Sequence, residues 1–192
     1  MKRFFHACAL LVGCRALAVP LLALVALAAG PATAHITLEY QVANAGSYYK
    51  ANFKVGHGCG NSPIRQIVVT IPAGVQGAKP MPKAGWMVEI QREKLAKPYE
   101  DHGRLVTDDV AQISWTAKTP DDYLPNTYYD EFALQARLPA QAGPMYWSVS
   151  QVCEQGRIDW NETPKAGQNG SDLKAPATLL EILPTASAGH QH

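Results

Sequence analysis

The sequence predicts an all-β domain of the sandwich or barrel class. Short stretches of alternating apolar and polar residues recur along most of the chain, and clusters of Gly, Pro and Asn-Gly separate them. After position 34, no stretch of ten or more residues carries the apolar stripe of an amphipathic helix. Because the strands are short and the turn signals come at near-regular intervals, we expect β-strands packed against one another rather than a fold that mixes helices with strands.

The predicted strands follow one another in eight segments. The early segments alternate with a period of two, and the third is rich in β-branched residues and ends at Pro72. We predict an extended, proline-stiffened connector at 79–83, a long loop or irregular hairpin at 94–110, and a flexible turn at 167–175. The predicted strands are 36–40, 49–55, 67–71, 86–90, 112–115, 131–138, 145–151 and 178–183.

Residues 1–34 predict a cleavable signal peptide. Its first fifteen positions hold basic residues and no acid, the apolar run covers 17–30, and Ala32-Thr33-Ala34 supplies the small residues that precede a cleavage site. This run is shorter than the roughly 20 residues of a membrane-spanning helix. We therefore expect a mature protein that begins at His35 and contains no membrane span.

A lipoprotein signal is the alternative for this segment. Leu11-Val12-Gly13-Cys14 resembles a lipoprotein processing box, but the stronger apolar run lies after Cys14 and a cut there would leave it on the mature protein. With the cut after residue 34, we expect one domain over residues 35–184 and a disordered tail over 185–192.

The charge of the mature chain disfavours several classes of partner. The signal takes three of the 17 Lys and Arg residues and none of the 16 Asp and Glu residues, so the remainder has a formal net charge of −2. No basic stripe or polybasic patch is present, which disfavours nucleic acid and anionic membranes as partners.

The sequence also lacks a serine-hydrolase elbow, an H-E-x-x-H motif and a phosphate-binding glycine loop, so we do not expect an enzyme.

Cleavage leaves two of the four cysteines, Cys59 and Cys153. An even pair in an exported protein is typical of a disulfide. Such a bond closes a long loop and would stabilise the fold by about 4 kcal/mol in the chain-entropy model. The alternative is a pair of thiolate metal ligands, which requires free thiols in an oxidising compartment.

His35 is the leading candidate for a metal ligand. An N-terminal histidine offers its α-amine and its ring Nδ1 to one ion as a chelate. The amine has a reference pKa of about 7.7–8.0, so it releases its proton readily near neutral pH. Nitrogen donors of this kind suit Cu(II), which also heads the divalent affinity series. The alternative is that His35 is merely tolerated after the cleavage site.

Glu131 and Trp160 are candidates to complete such a site. Glu131 begins a predicted strand among aromatic residues and offers carboxylate oxygens to a metal. A tryptophan such as Trp160 packs favourably over a cation, although a core position is the commoner role of this residue in a sandwich.

The remaining histidines have weaker signals. His57 lies between glycines in Gly56-His57-Gly58-Cys59-Gly60, a turn where we expect a structural residue or a second metal ligand. We expect His102 to be solvated within a charged loop. The tail histidines His190 and His192 form a short tract of a kind that binds metal weakly.

One ordered set of segments extends from His35 to about Pro164. The segments are His35-Ile36-Thr37-Leu38, Gly56-His57-Gly58-Cys59-Gly60, Ile71-Pro72-Ala73-Gly74-Val75, Lys79-Pro80-Met81-Pro82-Lys83-Ala84-Gly85-Trp86, Tyr129-Asp130-Glu131-Phe132, Leu138-Pro139, and Gln151-Val152-Cys153-Glu154-Gln155-Gly156 through Trp160. Each segment is a weak signal alone, but the set in this order resembles the YcnI-like copper-binding domain family of exported bacterial proteins.

The resemblance implies a fold and a site. The fold would be a single cupredoxin-like or immunoglobulin-like β-sandwich. Cu(II) would be held by the amine and ring nitrogen of His35, with Glu131 as the carboxylate and Trp160 as the bordering tryptophan. Trp86 and Trp147 are alternatives for that tryptophan. The disulfide would be an accessory to the site.

From this resemblance we expect a soluble periplasmic protein of copper handling, acting as a chaperone, carrier or sequestering protein. Its partners would be the copper ion and a membrane copper transporter or another copper-handling protein. One alternative is a copper-dependent oxygenase, which would need a second brace histidine from His57 or His102. Another is a metal-free immunoglobulin-like binding module.

Overall fold

Two β-sheets form the part of the chain that the computed structural model describes, residues 35–185. The predicted signal peptide and nearly all of the predicted tail lie outside these residues. Every described strand belongs to one compact unit. Two short 3₁₀ helices, Pro120–Asp122 and Gly170–Asp172, interrupt the strands.

The strands are numbered in chain order. They are β1 Thr37–Leu38, β2 Val42–Asn44, β3 Tyr48–Val55, β4 Ile64–Thr70, β5 Gln76–Pro80, β6 Trp86–Asp101, β7 Arg104–Ala117, β8 Asp130–Arg137, β9 Gly143–Cys153, β10 Arg157–Trp160 and β11 Thr178–Leu183. One sheet has the order β1-β3-β8-β5, and the other β2-β11-β9-β4-β7-β6, with β10 beside β9. Every pairing is antiparallel except that of β2 with β11.

The smaller sheet brings three strand termini to one edge. Thr37 of β1 lies opposite Lys54 of β3, and Lys54 lies opposite Glu131 of β8. Because neighbouring strands are antiparallel, β1 begins, β3 ends and β8 begins at the same end of this sheet. We call it the β1 end. His35 and Glu131 both lie there, and the loop that contains His57 starts there.

The core lies between the two sheets and is dominated by aromatic side chains. β9 buries alternate residues from Met145 onward, as period two requires for a strand with one face on a core, and β3 does the same except at Asn52, which is also buried. Phe132 packs edge-on against Trp86 and Trp115, with ring centroids 5.0 and 5.8 Å away, and Phe53 packs against Trp147 at 5.7 Å. Such pairs add about 0.5–1.5 kcal/mol each beyond the burial of their area.

The prediction of an all-β sandwich is confirmed, and the last strand has the predicted bounds. The polar stretch at 94–110 forms most of the outer part of the β6–β7 hairpin, which is irregular where its register shifts. The connector predicted at 79–83 is partly wrong, because its first residues belong to β5. Sequence patterns also missed β2 and β10, which are only three and four residues long.

The predicted disulfide between Cys59 and Cys153 is present, with the two Cα atoms 6.0 Å apart. It joins the loop after β3 to the end of β9. Disulfides of this kind are typical of proteins in an oxidising compartment. Among residues 35–185, no helix is long and apolar enough to cross a membrane.

Candidate metal site

The two residues that follow His35 are held firmly by their neighbours in the fold. The next residue, Ile36, is buried, and its carbonyl accepts a 2.8 Å hydrogen bond from the Thr178 hydroxyl at the start of β11. Thr37 then pairs with Lys54 in β1. Both sheets therefore hold the chain next to His35. The smaller sheet holds Thr37 through its pairing with β3, and the other sheet holds Ile36 through the Thr178 side chain of β11.

Trp160 is the partner that the fold gives to the His35 ring. The two ring centroids are 5.5 Å apart, with an interplanar angle of 74°. Trp160 is 1% exposed, and its indole N–H donates a 3.0 Å hydrogen bond to the side-chain oxygen of Gln151. The other candidate tryptophans, Trp86 and Trp147, pack on core phenylalanines instead. Of the three candidates, Trp160 is the one that borders His35.

His57 contacts the same tryptophan. Its ring centroid lies 6.1 Å from that of Trp160, at an interplanar angle of 75°. Gln151, which is fully buried, donates a 2.7 Å hydrogen bond from its amide to the His57 carbonyl. Trp160, Gln151 and His57 therefore form one hydrogen-bonded chain that links β10, β9 and the loop after β3.

Glu131 lies on the outer face of the smaller sheet, at the β1 end. Its carboxylate accepts a 2.5 Å hydrogen bond from the side-chain amide of Asn52 and another from the Tyr129 hydroxyl. The Lys83 ammonium donates to the Glu131 carbonyl at 3.2 Å and to the Asp130 carboxylate at 2.6 Å, which fixes the start of β8. The strand register places Glu131 two strands away from Thr37.

Glu39 and Asn52 are polar neighbours that the sequence did not single out. Asn52 is only 2% exposed and donates to the carboxylates of both Glu39, at 3.1 Å, and Glu131. One amide therefore holds two carboxylates side by side. Asn52 follows the same alternation as Lys50 and Lys54, so its pattern in the sequence is that of an ordinary outward-facing strand residue.

The structure thus brings His35 and Trp160 together and adds His57, while the described contacts of Glu131 are with Asn52, Tyr129 and Lys83. Within residues 35–185, no group of three or more His, Cys, Asp or Glu side chains is positioned to hold a metal ion. A chelate at a chain terminus takes two nitrogens, the α-amine and a ring nitrogen, from a single residue. It is therefore a different kind of site from a group of three side chains. The side chains that contact Trp160 here are the imidazoles of His35 and His57, and imidazole nitrogen is a ligand type that several transition metals accept.

The remaining histidines stand apart from this arrangement. His102 lies at the turn of the β6–β7 hairpin, and 85% of its side chain is exposed, as predicted for a solvated residue. The predicted weak metal-binding tract at His190 and His192 falls outside the described residues.

Comparison with known proteins identifies a family and a fold. The family described as "Domain of unknown function (DUF1775)" matches residues 35–182. A solved structure of an uncharacterized protein from Nocardia farcinica, described as immunoglobulin-like, superposes with a TM-score of 0.61 and 22% identity, covering 79% of this chain and 99% of that one. No curated protein matches the chain.

A second solved structure is much less similar. It is the seventh ScaB type I cohesin from Pseudobacteroides cellulosolvens, with a TM-score of 0.38 and 10% identity, covering 82% of this chain and 97% of that one. The first likeness shows an immunoglobulin-like fold for this chain, and the predicted sandwich class agrees with it.

Proposed function

This chain belongs to the DUF1775 family, the YcnI-like domain of exported, copper-resistance-related proteins, and from that premise we propose that it is a periplasmic Cu(II)-binding protein. It would act in copper handling, as a chaperone, carrier or sequestering protein. The contact between His35 and Trp160 carries this proposal, because it sets the predicted mature terminus against a rigid, buried aromatic ring.

Removal of residues 1–34 would supply the nitrogen that the side chains lack. The new terminus at His35 would carry a free α-amine beside its ring Nδ1, and both nitrogens can bind one Cu(II) ion. An amine with a reference pKa of about 7.7–8.0 loses its proton readily to such an ion near neutral pH. The family match begins at the same residue, which supports this cleavage point.

Glu131 would provide the oxygen donor of the proposed site. It shares the β1 end with His35, and its carboxylate is oriented by Asn52 and Tyr129. Partners of this kind commonly orient metal-binding carboxylates and raise metal affinity. To bind the ion, the Glu131 side chain would exchange one of these hydrogen bonds for the metal.

Trp160 would form one wall of the site. Its indole N–H is held by Gln151, so the ring cannot rotate without breaking a buried hydrogen bond. A fixed ring beside His35 restricts the imidazole to one region and excludes water from that side. We expect capture of the ion rather than catalysis, and an immunoglobulin-like fold fits a protein that binds. A membrane copper transporter or another copper-handling protein would deliver or receive the ion.

A competition titration with Cu(II) tests the proposed ligands, using the mature protein that begins at His35. His35→Ala should weaken binding by more than about 100-fold, and Glu131→Gln by at least about 10- to 100-fold, because the loss of a direct donor should cost no less than the loss of a residue that only orients a ligand. Glu89→Gln is the matched control, because Glu89 is exposed on β6 in the other sheet. We expect this control to bind like the mature protein.

The same titration separates the alternatives. If His35→Ala and Glu131→Gln both bind copper as tightly as Glu89→Gln, the proposed site is wrong. If the mature protein itself does not compete for Cu(II), a metal-free immunoglobulin-like binding module becomes the better account.

A further inference from the structure

The outer face of the smaller sheet carries positive charge that its cross-strand pairs do not balance. At the β1 end, Lys54 of β3 lies opposite Glu131 of β8, which is a favourable pair of opposite charges. Further along the sheet, Lys50 of β3 and Lys79 of β5 lie on either side of Gln135 of β8. Directly paired residues point to the same face, so these two exposed lysines share a face and have only an amide between them.

Arg137 adds a third cation in the next row of the same face, at the end of β8. It lies between Tyr48 of β3 and Gln76 of β5. Its Nε donates a 3.3 Å hydrogen bond to the Gly46 carbonyl, which positions the guanidinium without using its two terminal nitrogens. Within residues 35–185, no carboxylate forms an ion pair with any of the three cations.

A cavity of about 180 Å³ lies between this end of the sheet and the β6–β7 hairpin. Lys79 and Arg137 line it from the sheet, and Tyr99 lines it from the hairpin. The hairpin side is fixed to β5, because the Tyr99 hydroxyl and the Gly77 N–H both donate to the Asp109 carboxylate. The cavity is therefore held by hydrogen bonds on both sides.

A second cavity, of about 390 Å³, continues this one along the sheet. Lys79 and Gln135 line both cavities, so the two form one groove, and Lys50 lines the second. Tyr48, which is 67% exposed, lines the first cavity and presents an aromatic ring there. A concave surface with an aromatic ring and a few converging polar groups is typical of a site for a small organic molecule.

Asp101 also lines the first cavity, at the turn of the hairpin. Its carboxylate lies 3.7 Å from Nε2 of His102. A carboxylate repels a bare inorganic anion but accepts hydrogen bonds from hydroxyl groups. The groove therefore suits a ligand that has both an anionic group and hydroxyls.

We propose that this groove binds an acidic sugar, meaning a hydroxylated ring that carries a carboxylate or a phosphate group. Arg137 and Lys79 would bind the anionic group, since the planar guanidinium matches two oxygens of a carboxylate or phosphate. Tyr48 would pack against the ring, and Gln135 and Asp101 would hydrogen-bond its hydroxyls. The groove lies away from the β1 end, so this inference does not rest on the proposed copper site.

Titration of the mature protein with glucuronate, with glucose-6-phosphate and with neutral glucose tests the proposal, followed by proton–nitrogen NMR. We expect an acidic sugar to shift the backbone amide signals of Gly77 and Gln135. Arg137→Gln and Lys79→Gln should each weaken its binding by about 10- to 100-fold, as expected for lost hydrogen bonds to a charged group. Lys118→Gln is the matched control, because this exposed lysine after β7 lines neither cavity.

The two acidic sugars distinguish the anionic groups. Binding of glucuronate, of glucose-6-phosphate or of both supports the proposal and identifies the group as a carboxylate, a phosphate or either. If neither sugar shifts the two amide signals in the unaltered protein, the proposal is wrong, and this result does not depend on the folding of any variant. It is also wrong if glucose binds as tightly as the acidic sugars, or if Arg137→Gln and Lys79→Gln bind them like Lys118→Gln.

Discussion

At the scale of single residues, Gly58 determines the path of the loop that presents His57. A Cβ atom built on Gly58 would lie 1.9 Å from the backbone carbonyl oxygen of Ser62. The Ser62 segment cannot easily move away, because its N–H donates to the Cys59 carbonyl at 3.2 Å and Cys59 is held by the disulfide. Only glycine therefore allows the loop to close at this point.

Gly58→Ala should lower the free energy of unfolding by about 1–3 kcal/mol, the usual cost of forcing an extra carbon into a packed site. Gly56→Ala is the matched control, because a Cβ at Gly56 meets no atom within 4 Å and its backbone is not left-handed. That change should stay within about 0.5 kcal/mol. Urea unfolding of both variants makes the comparison, and equal midpoints would contradict the role given to Gly58.

The sequence identifies some site residues and misses others for a physical reason. His35 follows a cleavage motif, and Trp160 and Glu131 lie in segments that resemble a family, so each carries a local signal. Gln151 and Asn52 are single polar residues within strands. Their importance comes from burial and from partners more than 10 residues away in the chain, which alternation along a strand does not show.

At the scale of strands, Asp109 joins the two sheets away from the β1 end. This buried residue of β7 accepts hydrogen bonds from the Gly77 N–H of β5 at 2.8 Å and the Tyr99 hydroxyl of β6 at 2.7 Å. Burial alone would raise the pKa of Asp109, but these bonds and one from the Val110 N–H outweigh it and hold the pKa below its usual value. Burial, followed by the bond to Asp109, raises the pKa of Tyr99 to about 12.

Asp109→Asn should lower the free energy of unfolding at pH 7 by about 1.5–3 kcal/mol, as expected for hydrogen bonds to a charged group. Because the folded pKa of Asp109 is depressed, its contribution is complete above the unfolded pKa of about 3.9 and is lost as the pH falls through the folded pKa. The difference between the original protein and the variant should therefore shrink below about pH 4.

Asp108→Asn is the control for this pH series. Asp108 forms a surface ion pair with Arg92 at 2.7 Å, and both side chains are about half exposed. Pairs of this kind contribute about 0–1 kcal/mol. Unfolding measured from pH 7 to pH 3 compares the two variants. A loss in Asp109→Asn that is no larger than in Asp108→Asn, or that does not change with pH, would contradict the role of Asp109 as a link between sheets.

Strands with a strong alternating pattern were predictable, and those held only by their neighbours were not. β3, β8 and β11 show period two in the sequence. β5 contains a glycine at φ 60° and ends in proline, and its register with β8 shifts, so it has the composition of a connector. β10 has four residues and is stable beside β9 because the buried Trp160 fixes its end.

At the scale of the whole molecule, the fold gathers distant segments at the β1 end. His35 comes from the start of the domain, His57 from the loop after β3, Glu131 from β8, and Trp160 from β10 in the other sheet. On our account this assembly lacks one donor until the signal peptide is removed, because the α-amine of His35 is part of a peptide bond in the uncut chain. Export and copper binding would therefore be coupled by a single cleavage.

The most direct test of this claim adds one glycine before His35 and compares Cu(II) binding with that of the mature protein. The extended chain keeps every side chain but turns the His35 amine into an amide, which is a poor donor at neutral pH. We predict a loss of affinity of more than about 100-fold, by analogy with the cost of disrupting a metal site, and loss of the amine nitrogen from the paramagnetic resonance spectrum. An extended chain that binds Cu(II) as tightly as the mature protein, with an unchanged spectrum, would contradict the account.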